Sequence, residues 1–214
     1  MSESSSLLRR RFLQTAAVSL GLGAVVRPSL AGAFLPRAYI PPLADSPDLE
    51  IAIAARSGLE RAGARVAYRD VVAVADFREA SRTPRLHLVD MTSGRVESLL
   101  VAHGRGSDPE HTGWLSRFSN DPGSEATSEG SYVTGDYYVG QHGRSMRLIG
   151  LDPTNSNAES RAIVVHAAWY VAPEMIQTRG MLGRSEGCFA VSDSDLPTML
   201  ERLGPGHLLV AGIV

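Results

Sequence analysis

The chain has 214 residues, 43% of them hydrophobic and 21% charged, and a formal net charge of −2. Such a balance fits a globular protein and lacks the basic stripe of a nucleic-acid binder, so no nucleic-acid partner is expected. All 21 basic residues are arginine, which excludes a P-loop lysine, a pyridoxal Schiff base and Ser-Lys acyl transfer.

Residues 1–33 read as a targeting segment. Arg9-Arg10-Arg11-Phe12-Leu13 resembles the twin-arginine export motif and precedes an apolar run from Thr15 to Val26. That run is shorter than the ~20 residues needed to span a bilayer, and Ala31-Gly32-Ala33 offers small residues for cleavage. The sequence therefore predicts export to the periplasm or cell envelope, with membrane contact only through the leader if it stays uncleaved.

Residues 34–69 begin proline-rich and extended. A helix is predicted over 49–62, packing through Leu49, Ile51, Ile53 and Leu59, with Gly63 as its stop. Residues 70–214 fit a single domain. Strands are expected at 71–77, 85–91 and 95–101, the last two joined by a tight turn at Thr92-Ser93-Gly94. His87, on the second of them, is expected to face solvent. The polar stretch 104–131 is too long for a passive connection and reads as a wall or lid of a substrate cleft, tacked down by Trp114 and Phe118. Strand-like alternation resumes over 132–151, with Gly135, Gly140 and Gly143 at close approaches or turns. Residues 163–166 read as a buried central strand, 173–182 as a loop or short helix over the site. A helix capped by Ser194 then runs to Leu203, and 207–210 form the last strand.

The chemistry is expected at Gly183-Arg184-Ser185-Glu186-Gly187-Cys188, which holds the one cysteine of the chain. A single thiol in an exported protein cannot form an intrachain disulfide, so it is buried, reactive or paired between chains. Gly187 before it permits a sharp turn that exposes sulfur and aims backbone N–H groups at one point. A thiol becomes a strong nucleophile only as thiolate, and His166 at the end of an apolar run is the candidate base. A zinc peptidase is disfavoured, because the six histidines (87, 103, 111, 142, 166 and 207) form no H-E-x-x-H pattern.

Val164-Val165-His166 followed by residues 183–188 resembles the catalytic core of the YkuD-type L,D-transpeptidases, which carry a histidine and then a Ser-His-Gly-Cys element. The murein L,D-transpeptidase catalytic domain branch is the closer likeness. Val101-Ala102-His103-Gly104, Arg117-Phe118-Ser119-Asn120, Tyr132-Val133-Thr134-Gly135, Tyr138-Val139-Gly140-Gln141-His142-Gly143 and Arg147-Leu148-Ile149-Gly150 extend it across roughly residues 70–214. The resemblance implies a mainly β fold, an antiparallel β-sandwich or barrel with few helices, and neither cofactor nor metal. It also implies attack by Cys188 on the amide between a diamino acid and terminal D-alanine in a peptidoglycan tetrapeptide stem. His166 would take the thiol proton or hold the thiolate as an ion pair, and the N–H groups of Cys188 and Gly187 would bind the oxyanion. An acceptor amine gives transpeptidation; water gives L,D-carboxypeptidation. Arg184 is the candidate for a substrate carboxylate, with a structural salt bridge as its alternative. Ser185, His142, Gly143 and Tyr138 are the remaining substrate-side candidates. Glu186 stands where the family has histidine and is expected to face solvent or pair with Arg184. The alternative is a catalytically inactive cell-wall-binding module on the same fold.

Overall fold

A computed structural model describes residues 47–214; the leader and the proline-rich stretch lie outside them. The first element is helix α1, Pro47–Ala62. It is followed by strands β1 (Val71–Asp76), β2 (Leu86–Asp90) and β3 (Val96–Leu99), and by the hairpin β4 (Gly130–Gly140) and β5 (Gly143–Gly150). Then come β6 (Val164–Ala167), helix α2 (Pro173–Arg179), β7 (Phe189–Val191), helix α3 (Leu196–Leu203) and β8 (Leu208–Gly212). All eight strands form one sheet in the order β3-β2-β1-β8-β4-β5-β6-β7. Five of its seven pairings are antiparallel and two, β1 with β8 and β6 with β7, are parallel. The fold is thus mainly β and mainly antiparallel, with three helices.

The chain beyond β3 ties the two sheet edges together. Ala102 N–H donates to Ala190 O of β7 at 2.9 Å, Ser185 N–H to His103 O at 2.9 Å, and Arg105 N–H to Ser185 O at 2.7 Å. Residues that follow one edge strand therefore bridge to the other, so that the segment after β3 covers the outer edge of β7 in a barrel-like way.

The middle of the sheet is covered on both faces, which explains why β1 reads as the unbroken apolar run Val71-Val72-Ala73-Val74-Ala75. Val72 and Val74 pack with Ile51, Ala55 and Leu59 of α1, while Ala73 and Ala75 face the main core with Met199, Leu200 and Leu203 of α3. Gly58 lets the α1 backbone sit close to β8, since a Cβ there would lie 2.7 Å from Val210 Cγ2. Ile53, expected in the helix's packing face, is instead 55% exposed. The buried set Ile51, Ala55, Leu59 and Ala62 follows the i+4 and i+3 spacings of one helix face, and Ile53 falls outside that stripe.

Other expectations need correction. The strand carrying His166 is buried but lies one place from the sheet edge, between β5 and β7. His87 is half-buried, with its Nδ1 2.8 Å from Ser98 Oγ across the β2–β3 pair. Helix α3 starts at Leu196 with Asp195 as N-cap, and its cap region is held by Asp195 N–H donating to Ser192 Oγ at 3.0 Å, not by Ser194. Among the described residues no helix is long and apolar enough to cross a membrane.

Candidate functional site

Two neighbouring parallel strands deliver the reactive residues. His166 lies on β6, and the register pairs Val165 with Phe189 and His166 with Ala190, so Cys188 sits just before β7 and beside Val164. Gly187 turns the chain at φ 115°, and a Cβ there would meet Ala126 O at 2.8 Å and Ile163 Cδ1 at 2.9 Å. No side chain fits that corner. Ser185 ties the corner from inside: its hydroxyl donates to Cys188 O at 2.7 Å and accepts Gly187 N–H at 3.2 Å.

Cys188 and His166 line one cleft of about 580 Å³, together with Tyr138, His142, Arg161, Tyr170, Arg184 and Glu186. The His166 ring is buried, and its Nδ1–H donates to Ala167 O at 2.8 Å. That bond fixes the tautomer and leaves Nε2 with a free lone pair. Burial and the neighbouring His142 push the His166 pKa down, against the pull of the carbonyl. The half-buried Cys188 thiol donates to Ala162 O at 3.6 Å. Burial raises its pKa, the Val164 amide and Arg161 lower it, and Glu186 raises it further. Sulfur and imidazole thus rest as a neutral thiol and a neutral base. They share the cleft without a hydrogen bond to each other; two residues along β6 and one strand spacing across put their Cα atoms about 8 Å apart.

The remaining predicted residues fall into two groups. Tyr138 lines the cleft beneath the Arg147 guanidinium, 4.5 Å from its ring centre, and His142 stacks on His166. Gly143, by contrast, closes the two-residue β4–β5 turn and is not in the cleft wall. Arg184 reaches the cleft, but its Nη1 donates to the carbonyls of Asp108 and Pro109. It makes no salt bridge to Glu186. Glu186 points to solvent and pairs with Arg105 at 3.2 Å. The Gly187 N–H is occupied by Ser185 Oγ, so of the two expected oxyanion donors only the Cys188 N–H is not tied to that hydroxyl.

Residues 104–131 are not a wall or lid, since none of them lines the cleft. They pack behind the Cys188 turn. Ser119 O, Ser128 Oγ and Ala126 O all accept from the Arg161 guanidinium, and Asp108 and Pro109 hold Arg184. Phe118 tacks the stretch down, its ring 5.9 Å from Phe77; Trp114 is 46% exposed, with the Arg82 guanidinium 6.0 Å over its ring.

Arg161 and Ala162 are site residues that sequence reasoning passed over as the start of an apolar run. Arg161 is the positive charge that lowers the thiol pKa. Ala162 adopts a left-handed φ of 53°, rare for a residue with a Cβ, and its carbonyl receives the thiol. A charged residue at the mouth of a buried strand was the one available signal. Among the described residues no group of three or more His, Cys, Asp or Glu is placed to hold a metal.

A sequence model of the L,D-transpeptidase catalytic domain matches residues 45–211. Comparison with curated proteins gave no match. Among solved structures, an L,D-transpeptidase from Mycobacterium smegmatis is 14% identical, with a TM-score of 0.40 over 67% of this chain and 58% of its own. One from Mycobacterium tuberculosis is 17% identical, TM-score 0.43, over 67% and 57%, and one from Stackebrandtia nassauensis 15%, TM-score 0.40, over 77% and 64%. The chain therefore spans about three fifths of the length of these structures. With the domain match running over most of its residues, the chain belongs to the L,D-transpeptidase catalytic domain family.

Proposed function

We propose that the chain is a cysteine acyltransferase of peptidoglycan, an L,D-transpeptidase or L,D-carboxypeptidase, with Cys188 as nucleophile and His166 as general base. The observation that carries this is the shared cleft, lined by a half-buried thiol and by a histidine whose tautomer leaves Nε2 unprotonated.

In the reaction, rotation about the Cys188 side chain moves the thiol from Ala162 O toward His166 Nε2. Apo catalytic hydrogen bonds are commonly long and tighten only around substrate. Nε2 takes the proton as sulfur attacks the carbonyl joining the diamino acid to terminal D-alanine. The Cys188 N–H stabilises the oxyanion; one such donor is worth about 3–4 kcal/mol in acyl transfer. Collapse breaks the C–N bond, and the imidazolium returns its proton to the departing D-alanine amine, leaving a thioester. An amine of a second stem, or water, then attacks the thioester and regenerates the thiol. A thiol pKa pushed up and an imidazole pKa pushed down favour base-assisted attack over a preformed ion pair. Tyr138, Ser185 and Arg184 border the bound stem, and the free part of the Arg184 fork is the contact for a substrate carboxylate. Export by the 1–33 leader would bring the domain to this substrate in the envelope.

The test is covalent labelling. Full-length protein mixed with a carbapenem, a strained amide electrophile, and weighed intact is expected to gain one adduct mass, lost in Cys188→Ala. An unmodified native mass overturns the enzyme proposal and favours the inactive cell-wall-binding module.

A further inference from the structure

Two imidazoles line the cleft, and only His166 has a task in the reaction above. The His142 ring lies against it, centroids 4.2 Å apart and planes 21° from parallel. Gln141 Nε2 is 3.0 Å from His142 Nε2. An amide nitrogen only donates, so His142 Nε2 accepts and the proton of the neutral ring is on Nδ1.

We propose that His142 is a positioning residue for the base: as a neutral ring it supports the imidazolium formed on His166 during attack, and once protonated it blocks that attack. The proposal rests on the Cys188–His166 reading. When Nε2 accepts the thiol proton, a cation appears over the His142 face, and a neutral aromatic face attracts a cation. A second imidazolium at the same separation repels it and disfavours the proton transfer.

The other titratable and charged groups around the stack do not supply this effect. Tyr138 of β4, Arg161 before β6, Tyr170 after it, and Arg184, Glu186 and Cys188 before β7 share the cleft. Arg144 and Arg147 of β5 lie over Tyr137 and Tyr138. Arginines stay charged throughout the working range, and Glu186 is ion-paired to Arg105. Histidine is the side chain type that ordinarily changes charge between pH 5 and 8.

Attack therefore needs both rings neutral. Because the charged rings repel, the stack takes its first proton well before a second, and that first proton already stops attack. His142→Phe keeps a stacked ring and removes its proton. The acid limb of the carbapenem acylation rate should then move to lower pH while near-UV circular dichroism shows the fold intact. The rates come from time-resolved intact mass measurements between pH 4.5 and 8 on the full chain. An acid limb that stays in place or moves to higher pH in His142→Phe overturns the proposal. Failure of the native protein to acylate sinks the Cys188 reading instead. The stack is then judged alone by imidazole NMR titration in Cys188→Ala, where adding His142→Phe must raise the His166 midpoint; no movement overturns it.

Discussion

His103 and His166 are two buried histidines in similar settings with opposite fates. Each is almost fully covered, and burial is the largest influence lowering each pKa, that of His103 to about 4. The difference lies in the second ring nitrogen. His103 Nδ1 accepts from Arg85 at 2.8 Å, and its Nε2–H reaches Asp108 Oδ2 at 3.4 Å, so both nitrogens are occupied. His166 has one nitrogen tied to a carbonyl and the other open to the cleft. Burial makes both rings neutral; only the one with an unspent lone pair can do chemistry.

Replacing each histidine should separate the two. His166→Gln removes the base and is expected to slow carbapenem acylation by ~10²–10⁴-fold, read by intact mass against time. A rate within about threefold of native would mean that His166 is not the base. On the structural side, Arg85 is fully buried, its guanidinium 4.8 Å over the Phe77 ring, and burial lowers its pKa to about 9. Arg85→Met leaves Val101 O, Glu79 O and His103 Nδ1 without their donor. Three orphaned acceptors at this buried site should cost about 3–5 kcal/mol in chemical denaturation; a loss below about 1 kcal/mol would show that the guanidinium does not hold the cluster together.

The corner between the two regions comes next in size. Gly187→Ala places a Cβ against Ala126 O with φ at 115°, in a region that costs an ordinary residue about 1–3 kcal/mol. The Cys188 turn must shift, so acylation should fall by ~10²-fold, with a stability loss of that order. Equal rates for native and variant would mean the corner does not set the thiol's position.

Much of the fold was legible because it follows local rules. The β1 run is apolar at every position since both its faces are covered, and the turn at Thr92-Ser93-Gly94 and the stop at Gly63 follow turn and cap chemistry. The Cys188 and His166 placement was legible from a resemblance spread over many short segments. Residues 104–131 were misjudged because their polar composition suggests a surface lid. Ser107, Asp108, Thr127 and Ser128 are in fact buried, with hydrogen bonds that offset their desolvation. The bridge from residues 102–105 to β7, and the carbonyl nest around Arg161, join positions far apart in sequence, which no local pattern encodes.

The His103 contrast also has a pH signature. Histidine ordinarily titrates near 6.5, and a native value of about 4 means the unfolded chain takes the proton first. Stability is therefore full above about pH 6.5 and declines as pH falls toward 4, by ~3 kcal/mol from this group. The depressed His166 acts in the same direction. Denaturation midpoints in urea between pH 8 and 4 check this; a flat profile down to pH 4.5 contradicts it.

Glu186, where the resembled Ser-His-Gly-Cys element carries histidine, should matter least. It adds to the upward push on the Cys188 thiol, yet its side chain is 73% exposed and paired with Arg105, so water and salt screen it. Glu186→Gln removes the charge and keeps the shape. The thiol should ionise slightly more readily, and acylation should rise by no more than about threefold at low salt, with the gain disappearing at 1 M salt. Stability should change by less than about 0.5 kcal/mol, because an exposed pair contributes little. A tenfold gain would mean that the carboxylate turns inward during attack and that this substitution holds the enzyme back. A loss of acylation would mean that Glu186 assists the reaction, a role that its solvent-facing geometry does not support.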